Sequence, residues 1–142
     1  MSLNHTNTLR RMTALAVLSI LSMDVTAADA GKGTRVKSAA PTRVFVMAGF
    51  AADCTFKGFP DMQVTVAPTK GQVSFKTGDP ATIQYSLSGK CVGTSVQGTG
   101  IYYTSAPGQS GEDSFTVTGR LGTGEPATRT FSVIIDENGQ PE

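Results

Sequence analysis

Apolar and polar residues alternate with a period of two wherever this chain has a pattern. Phe115 and Val117 alternate with Ser114, Thr116 and Thr118. Met62, Val64 and Val66 alternate with Gln63 and Thr65, Val73 pairs with Phe75, and Ile83 with Tyr85 and Leu87. Phe131, Val133 and Ile135 share one face of the run 127–136. A period of two sends successive side chains to opposite faces of a strand, so each run predicts a half-buried strand. A further strand is expected over residues 44–48 and a weak one near 94–97. Turns are expected at 68–71, at Gly78-Asp79-Pro80 and across 119–126. After residue 30 no window carries a helical repeat. Strands spaced about 8–12 residues apart predict an all-β fold, an antiparallel sandwich of about seven strands. A small open barrel is the alternative.

The stretch 100–118 organises the rest. Ile101, Tyr102 and Tyr103 are β-formers in a run, and segment 105–112 turns the chain before Ser114. Pro107 fixes φ, and Gly108 and Gly111 admit positive φ. Asp113 stands ahead of the second strand, where a short carboxylate accepts backbone N–H bonds from the turn. These residues carry a resemblance. Tyr103-Thr104, Pro107-Gly108 and Gly111-Glu112-Asp113-Ser114-Phe115-Thr116-Val117 resemble the signature of bacterial Ig-like (cadherin-like) domains, in which a tyrosine strand leads through a Pro/Gly turn into G-x-D-x-F. Pro68-Thr69-Lys70-Gly71-Gln72-Val73 resembles the P-x-x-G-x-V turn of the same family, and 129–136 fits its final strand. The resemblance covers residues 60–136 in a single copy. Ser105 stands where the family often has proline, and Gln109 where it often has an aromatic. It implies an Ig-like β-sandwich over 44–136, with Gly111, Asp113 and Phe115 as its turn and fold signature.

Residues 1–30 read as a secretory signal peptide. Arg10 and Arg11 form a basic n-region, residues 12–23 an apolar h-region too short to span a bilayer, and Ala28-Asp29-Ala30 a small-x-small cleavage site. Val25-Thr26-Ala27 is a second candidate site. No lipobox cysteine follows, and no later apolar run has the length of a membrane span. The expectation is an exported protein, periplasmic or extracellular. Cleavage after Ala30 leaves 112 of the 142 residues, enough for one domain. It also removes two basic and two acidic residues, leaving ten Lys/Arg against nine Asp/Glu. So even a balance does not point to nucleic acid or an anionic membrane as partner. Residues 31–43 hold Lys32, Arg35, Lys37 and Arg43 without an acid. They read as a flexible basic segment, with a tether to an anionic envelope polymer as the functional alternative. Residues 137–142 read as a polar tail.

Cys54 and Cys91 are the only cysteines, and an even count in an exported chain reads as a disulfide. The loop it closes, about 38 residues, corresponds to about 4 kcal/mol in the chain-entropy model, an upper figure. A redox pair is the competing reading, but no C-x-x-C is present.

Much chemistry is missing from the sequence. The only histidine, His5, lies inside the signal peptide. The exported chain therefore lacks the base for Ser-His-Asp or Cys-His catalysis and the commonest zinc ligand. There is no tryptophan, no Walker-type loop and no G-x-G-x-x-G between a strand and a helix. Glu112-Asp113 and Asp136-Glu137 are adjacent acids where domains resembling this one sometimes bind calcium. Calcium takes six to eight oxygens, and neighbours on a strand point opposite ways, so turn acids are the reading preferred here. No catalytic residue, metal or cofactor is expected. Tyr102 and Tyr103 cannot both face inward on one strand, and whichever points out is a candidate interaction surface. The chain thus reads as a non-enzymatic binding or structural module of the envelope. Its partner would be an unknown protein, a cell-wall polymer or a second copy. The alternative is a secreted inhibitor of an envelope-attacking enzyme, with loops 105–112 and 119–126 as the inserting elements.

Overall fold

The computed structural model describes residues 33–86, 88–122 and 124–137. The expected signal peptide therefore lies outside the described residues, as do Gly31, Lys32, Leu87 and all of the expected tail except Glu137. The described chain is all-β, without a helix, and forms seven strands. These are β1 (Thr34–Lys37), β2 (Thr42–Met47), β3 (Asp61–Val66), β4 (Gly71–Thr82), β5 (Ser95–Ser105), β6 (Gly111–Arg120) and β7 (Pro126–Asp136). Four make one sheet in the order β1-β7-β6-β3, and three make a second in the order β2-β5-β4. All pairings are antiparallel except β1 on β7.

The period-two pattern explains the core. Val36, Ile101, Tyr103, Phe115, Val117, Phe131, Val133 and Ile135 form one buried cluster drawn from both sheets, with Val44, Phe45, Met62, Val73 and Phe75 packed against it. Each large apolar side chain so buried contributes about 1.5–3 kcal/mol. Arg129 covers an open flank of this core, its guanidinium 4.3 Å from the Phe45 ring centroid. The outward face of β6 and β7 is a hydroxyl ladder, with Thr116 bonded to Thr130 at 2.9 Å and Thr118 to Thr128 at 2.8 Å.

Several expectations need correction. The stretch expected as a flexible basic segment contains β1 and the first residues of β2. One apolar side chain, Val36, is buried by parallel pairing with Ile135, and Arg35 bridges to Asp136 at 2.8 Å. With one inward residue in four, composition hid the strand. The two strands expected within 100–118 are present, and they face each other across the core. β5 lies in one sheet and β6 in the other, and the rings of Tyr103 and Phe115 stack between them at 5.9 Å. The weak strand at 94–97 is the start of the long β5. The turn expected at Gly78-Asp79-Pro80 is a β-bulge inside β4, with Gly78 at φ 85°. The alternation of Ile83 and Tyr85 is not a strand: Ile83 is buried, but Tyr85 is 69% exposed in a loop. Val66, expected inward, is exposed because a register shift after Val64 turns it out.

The antiparallel course sends the connections to two ends. Loops 38–41, 67–70 and 106–110 gather at one end, and loops 48–60, 83–94 and 121–125 at the other.

Candidate functional site

The signature residues build the first end. Gly111 takes φ 79° and starts β6, which brings Asp113 beneath the β3–β4 turn. The Asp113 carboxylate is buried and accepts from Thr69 N at 3.0 Å, Thr69 Oγ1 at 3.1 Å, Lys70 N at 2.9 Å, Ser114 N at 2.9 Å and the Tyr103 hydroxyl at 2.8 Å. Its donors therefore come mainly from the turn before β4, not from the turn beside it in sequence. Burial pushes this carboxyl up, but the backbone and tyrosine hydrogen bonds outweigh burial and hold it below the ordinary aspartate value. Burial and the same hydrogen bond raise Tyr103 well above an ordinary phenol. Phe115 is buried and stacks on both Tyr103 and Phe131. With five donors on its two oxygens, the Asp113 carboxylate ties the β3–β4 turn to β5 and β6.

Of the two tyrosines singled out as an interaction surface, Tyr103 is wholly buried. Tyr102 points outward, but its hydroxyl donates to Asp79 Oδ2. The bulge at Gly78 flips Asp79 to this outer face, and Gly100, lacking a side chain, leaves room for its carboxylate. Arg43 at 3.6 Å and Lys76 at 3.5 Å complete the cluster. The Tyr102 hydrogen bond, then the two cations, hold Asp79 below its ordinary value against desolvation, and Tyr102 is raised in return. Asp79 is thus closed off by its own neighbours. The remaining acids stay apart. Glu112 is exposed, Asp136 pairs with Arg35, and no group of three His, Cys, Asp or Glu gathers among the described residues. A shallow groove of about 450 Å3 on the four-stranded sheet, between Val66, Glu112, Ser114 and Ile134, brings together no chemically convergent set.

The opposite end differs. Cys54 and Cys91 form the expected disulfide, which ties loop 48–60 to loop 83–94. Both cysteines sit at φ 68°, a region that side chains other than glycine enter at a cost. Each loop bonds to itself. Ala51 N donates to Thr55 O, Cys54 N to Ala51 O and Lys57 N to Gly49 O in the first. Ile83 N donates to Thr94 O and Gly93 N to Ile83 O in the second. The third loop packs so closely that a side chain at Gly122 would strike the Lys57 carbonyl. On this frame stand Phe56, Phe59, Val92 and Tyr85, with exposures of 51%, 42%, 58% and 69%. Among the described residues they are four of the five exposed large apolar side chains. The rings of Phe56 and Phe59 meet edge to face at 5.0 Å. Charges around them balance, with Asp53, Asp61 and Glu125 against Lys57, Lys90 and Arg120.

Sequence reading missed this end. The signal available was two phenylalanines beside Gly58 and Pro60, outside any alternating run and next to a cysteine. No protein-family model matches the chain, and no curated protein or solved structure matches it.

Proposed function

We propose that this chain is an exported, non-enzymatic Ig-like β-sandwich module of the bacterial envelope that acts by protein contact through its disulfide end. The observation that carries the reading is the set of exposed apolar side chains, Phe56, Phe59, Val92 and Tyr85, on loops joined by a covalent bond. Exposed aromatics on a rigid frame are the anchors of protein interfaces, since little entropy is lost when they dock. The even charge around them favours an uncharged protein surface over a polyanionic wall polymer.

Topology supports the Ig-like part. Seven-stranded Ig domains set the third, sixth and seventh strands against the second, fourth and fifth. The present order groups β3, β6 and β7 apart from β2, β4 and β5, with β1 added to the former. Export is supported by the three-part pattern of residues 1–30 and by a disulfide of the kind that persists in oxidising compartments. The absence of histidine after residue 30 supports the non-enzymatic reading.

The test is differential capture. The exported chain and its Phe56→Ser/Phe59→Ser variant are immobilised in parallel and offered envelope and secreted fractions. A protein held by the first and lost by the second is the expected result. Retention that survives loss of both rings, or that depends on a sheet edge instead, counts against this surface.

A further inference from the structure

Loop 48–60 contains a miniature hairpin with one open edge. Lys57 N donates to Gly49 O at 3.0 Å and Ala51 N to Thr55 O at 2.9 Å. Between these bonds Phe50 and Phe56 form an isolated antiparallel bridge. They are therefore the non-hydrogen-bonded pair of that ladder, whose N–H and C=O groups point away from the opposite strand. The amide and carbonyl of Phe56 consequently face outward, beside a ring that is half exposed. Cys54, two residues before it, is in the left-handed region with its N–H given to Ala51 O. The offered edge is therefore the N–H and C=O of Phe56 alone, with its exposed ring, and a backbone edge beside a side chain is what peptide-binding clefts engage.

The hairpin is held from several directions. Cys54, two residues upstream of Phe56, is bonded to Cys91. Thr55 donates twice to Asp53 Oδ1, from N at 3.2 Å and from Oγ1 at 2.6 Å. Gly122 backs the Lys57 carbonyl. Downstream, Pro60 is buried and leads directly into β3. Ordering of the peptide is thus complete before any partner arrives.

We propose that Cys54-Thr55-Phe56-Lys57 is a substrate-like loop that docks in the cleft of a serine endopeptidase with an apolar S1 pocket, inserting Phe56, and inhibits it. This names the partner class for the surface assigned above and rests on that reading. Specificity falls on Phe56 because its N–H and C=O have no hydrogen-bond partner among the described residues, whereas the Lys57 amide is engaged by Gly49. The chemistry follows from the tethers. The enzyme's serine oxygen attacks the Phe56 carbonyl carbon, the bond to Lys57 nitrogen breaks, and that nitrogen takes up the serine proton. From an ordinary substrate the amine fragment would diffuse away. Here Lys57 stays beside the ester, fixed through Gly49 and β3, while Thr55 stays fixed through Ala51 and Cys54 through its disulfide. The amine attacks the ester, the peptide bond re-forms, and the serine regains its proton. Confinement of the leaving group gives the reverse step a large effective concentration.

The experiment uses the exported chain, residues 31–142, with chymotrypsin and trypsin as probes and a chromogenic peptide for each. Chymotrypsin should lose activity in a saturable way, and trypsin should not. Phe56→Lys should exchange the two responses, and Phe56→Gly should weaken inhibition of chymotrypsin by about 100-fold or more. Urea midpoints of the variants, unchanged from the parent, separate lost binding from lost fold. Full chymotrypsin activity at about 100 μM protein overturns the proposal. So does rapid cutting after Phe56 without inhibition. If the proposal fails while differential capture still depends on Phe56 and Phe59, only the peptidase assignment falls. Failure of both removes the surface as well.

Discussion

At one end of the two sheets a single carboxylate, Asp113, joins the β3–β4 turn to β5 and β6 through five donors. Further bonds reinforce that end: Ala39 N donates to Ser105 Oγ at 2.9 Å, Ala106 N to Lys70 O at 2.9 Å, and Lys70 Nζ to Ser110 O at 2.9 Å. At the other end two of the loops, 48–60 and 83–94, are longer, each bonds mainly to itself, and a disulfide links them. Among the described residues the exposed large apolar side chains collect at this second end, apart from Val66. Polar groups that converge on a buried charge must be dry and fixed, which leaves no surface to offer. A covalent link asks nothing of the side chains around it, so those side chains stay free for contact. The comparison teaches that order has been achieved twice, by chemistry that consumes a surface and by chemistry that spares one.

The largest expected effect lies at the polar end. Asp113→Ala leaves five donors without their acceptor, at a cost of about 3–5 kcal/mol. Urea unfolding at neutral pH measures it, and a loss under about 1 kcal/mol would break the comparison. A pH series sharpens it. The folded Asp113 carboxyl lies below its unfolded value. Its contribution is therefore complete above the unfolded value and disappears as pH falls through the folded one. The parent should lose stability progressively below about pH 4, and Asp113→Asn should flatten that slope.

Next comes the disulfide. Cys54→Ser/Cys91→Ser should cost about 2–4 kcal/mol through greater freedom of the unfolded chain. Relief of the positive φ at both positions is not gained, since serine meets the same backbone cost as cysteine. The sharper readout is regional. Amide exchange should accelerate in 49–57 and 83–94 while Thr69, Lys70 and Ser114 keep their protection. Equal acceleration at both ends would show that the two are one cooperative unit.

A smaller effect, of opposite sign, is expected within the core on the disulfide side. Thr99 pairs with Met47 and Thr77, and its hydroxyl is buried without a hydrogen-bond partner among the described residues. Thr99→Val keeps the shape and removes the unsatisfied group, so stability should rise by about 1 kcal/mol. A fall would mean that the hydroxyl has a role in the β2-β5-β4 sheet.

Legibility in the sequence followed the same division. Strands whose inward residues recur were readable, as in β3, β6 and β7, because period two survives in the letters alone. β1 was not, since one valine among basic residues carries no period and only pairing with β7 buries it. The bulge at Gly78 looked like a turn because Gly-Asp-Pro serves both, and the choice is made by β5 alongside. Gly111, Asp113 and Phe115 were singled out through the resemblance to Ig-like domains, although three of the five donors to Asp113 come from Thr69 and Lys70, 44 and 43 residues upstream, where no local rule points. The disulfide followed from a count of two. The apolar end was missed, because its one local signal, Phe56 and Phe59 beside Gly58 and Pro60 outside any alternating run, does not say that the assembled loops leave the rings exposed.

The smallest effect on stability should accompany the largest effect on contact. Phe56→Ser/Phe59→Ser removes two rings that are already 51% and 42% exposed, so stability should change by about 0.5 kcal/mol or less. The same truncation of a core ring, Phe115→Ala, should cost about 3–5 kcal/mol. A pair of urea curves on the double variant and the parent decides the point. Coincident curves mean that the two phenylalanines do not hold the domain together and are retained for what they touch outside it. A shift comparable to that of Phe115→Ala would make them a satellite core under the loops. The disulfide end would then be a second structural lock, and the difference between the two ends would be one of materials only.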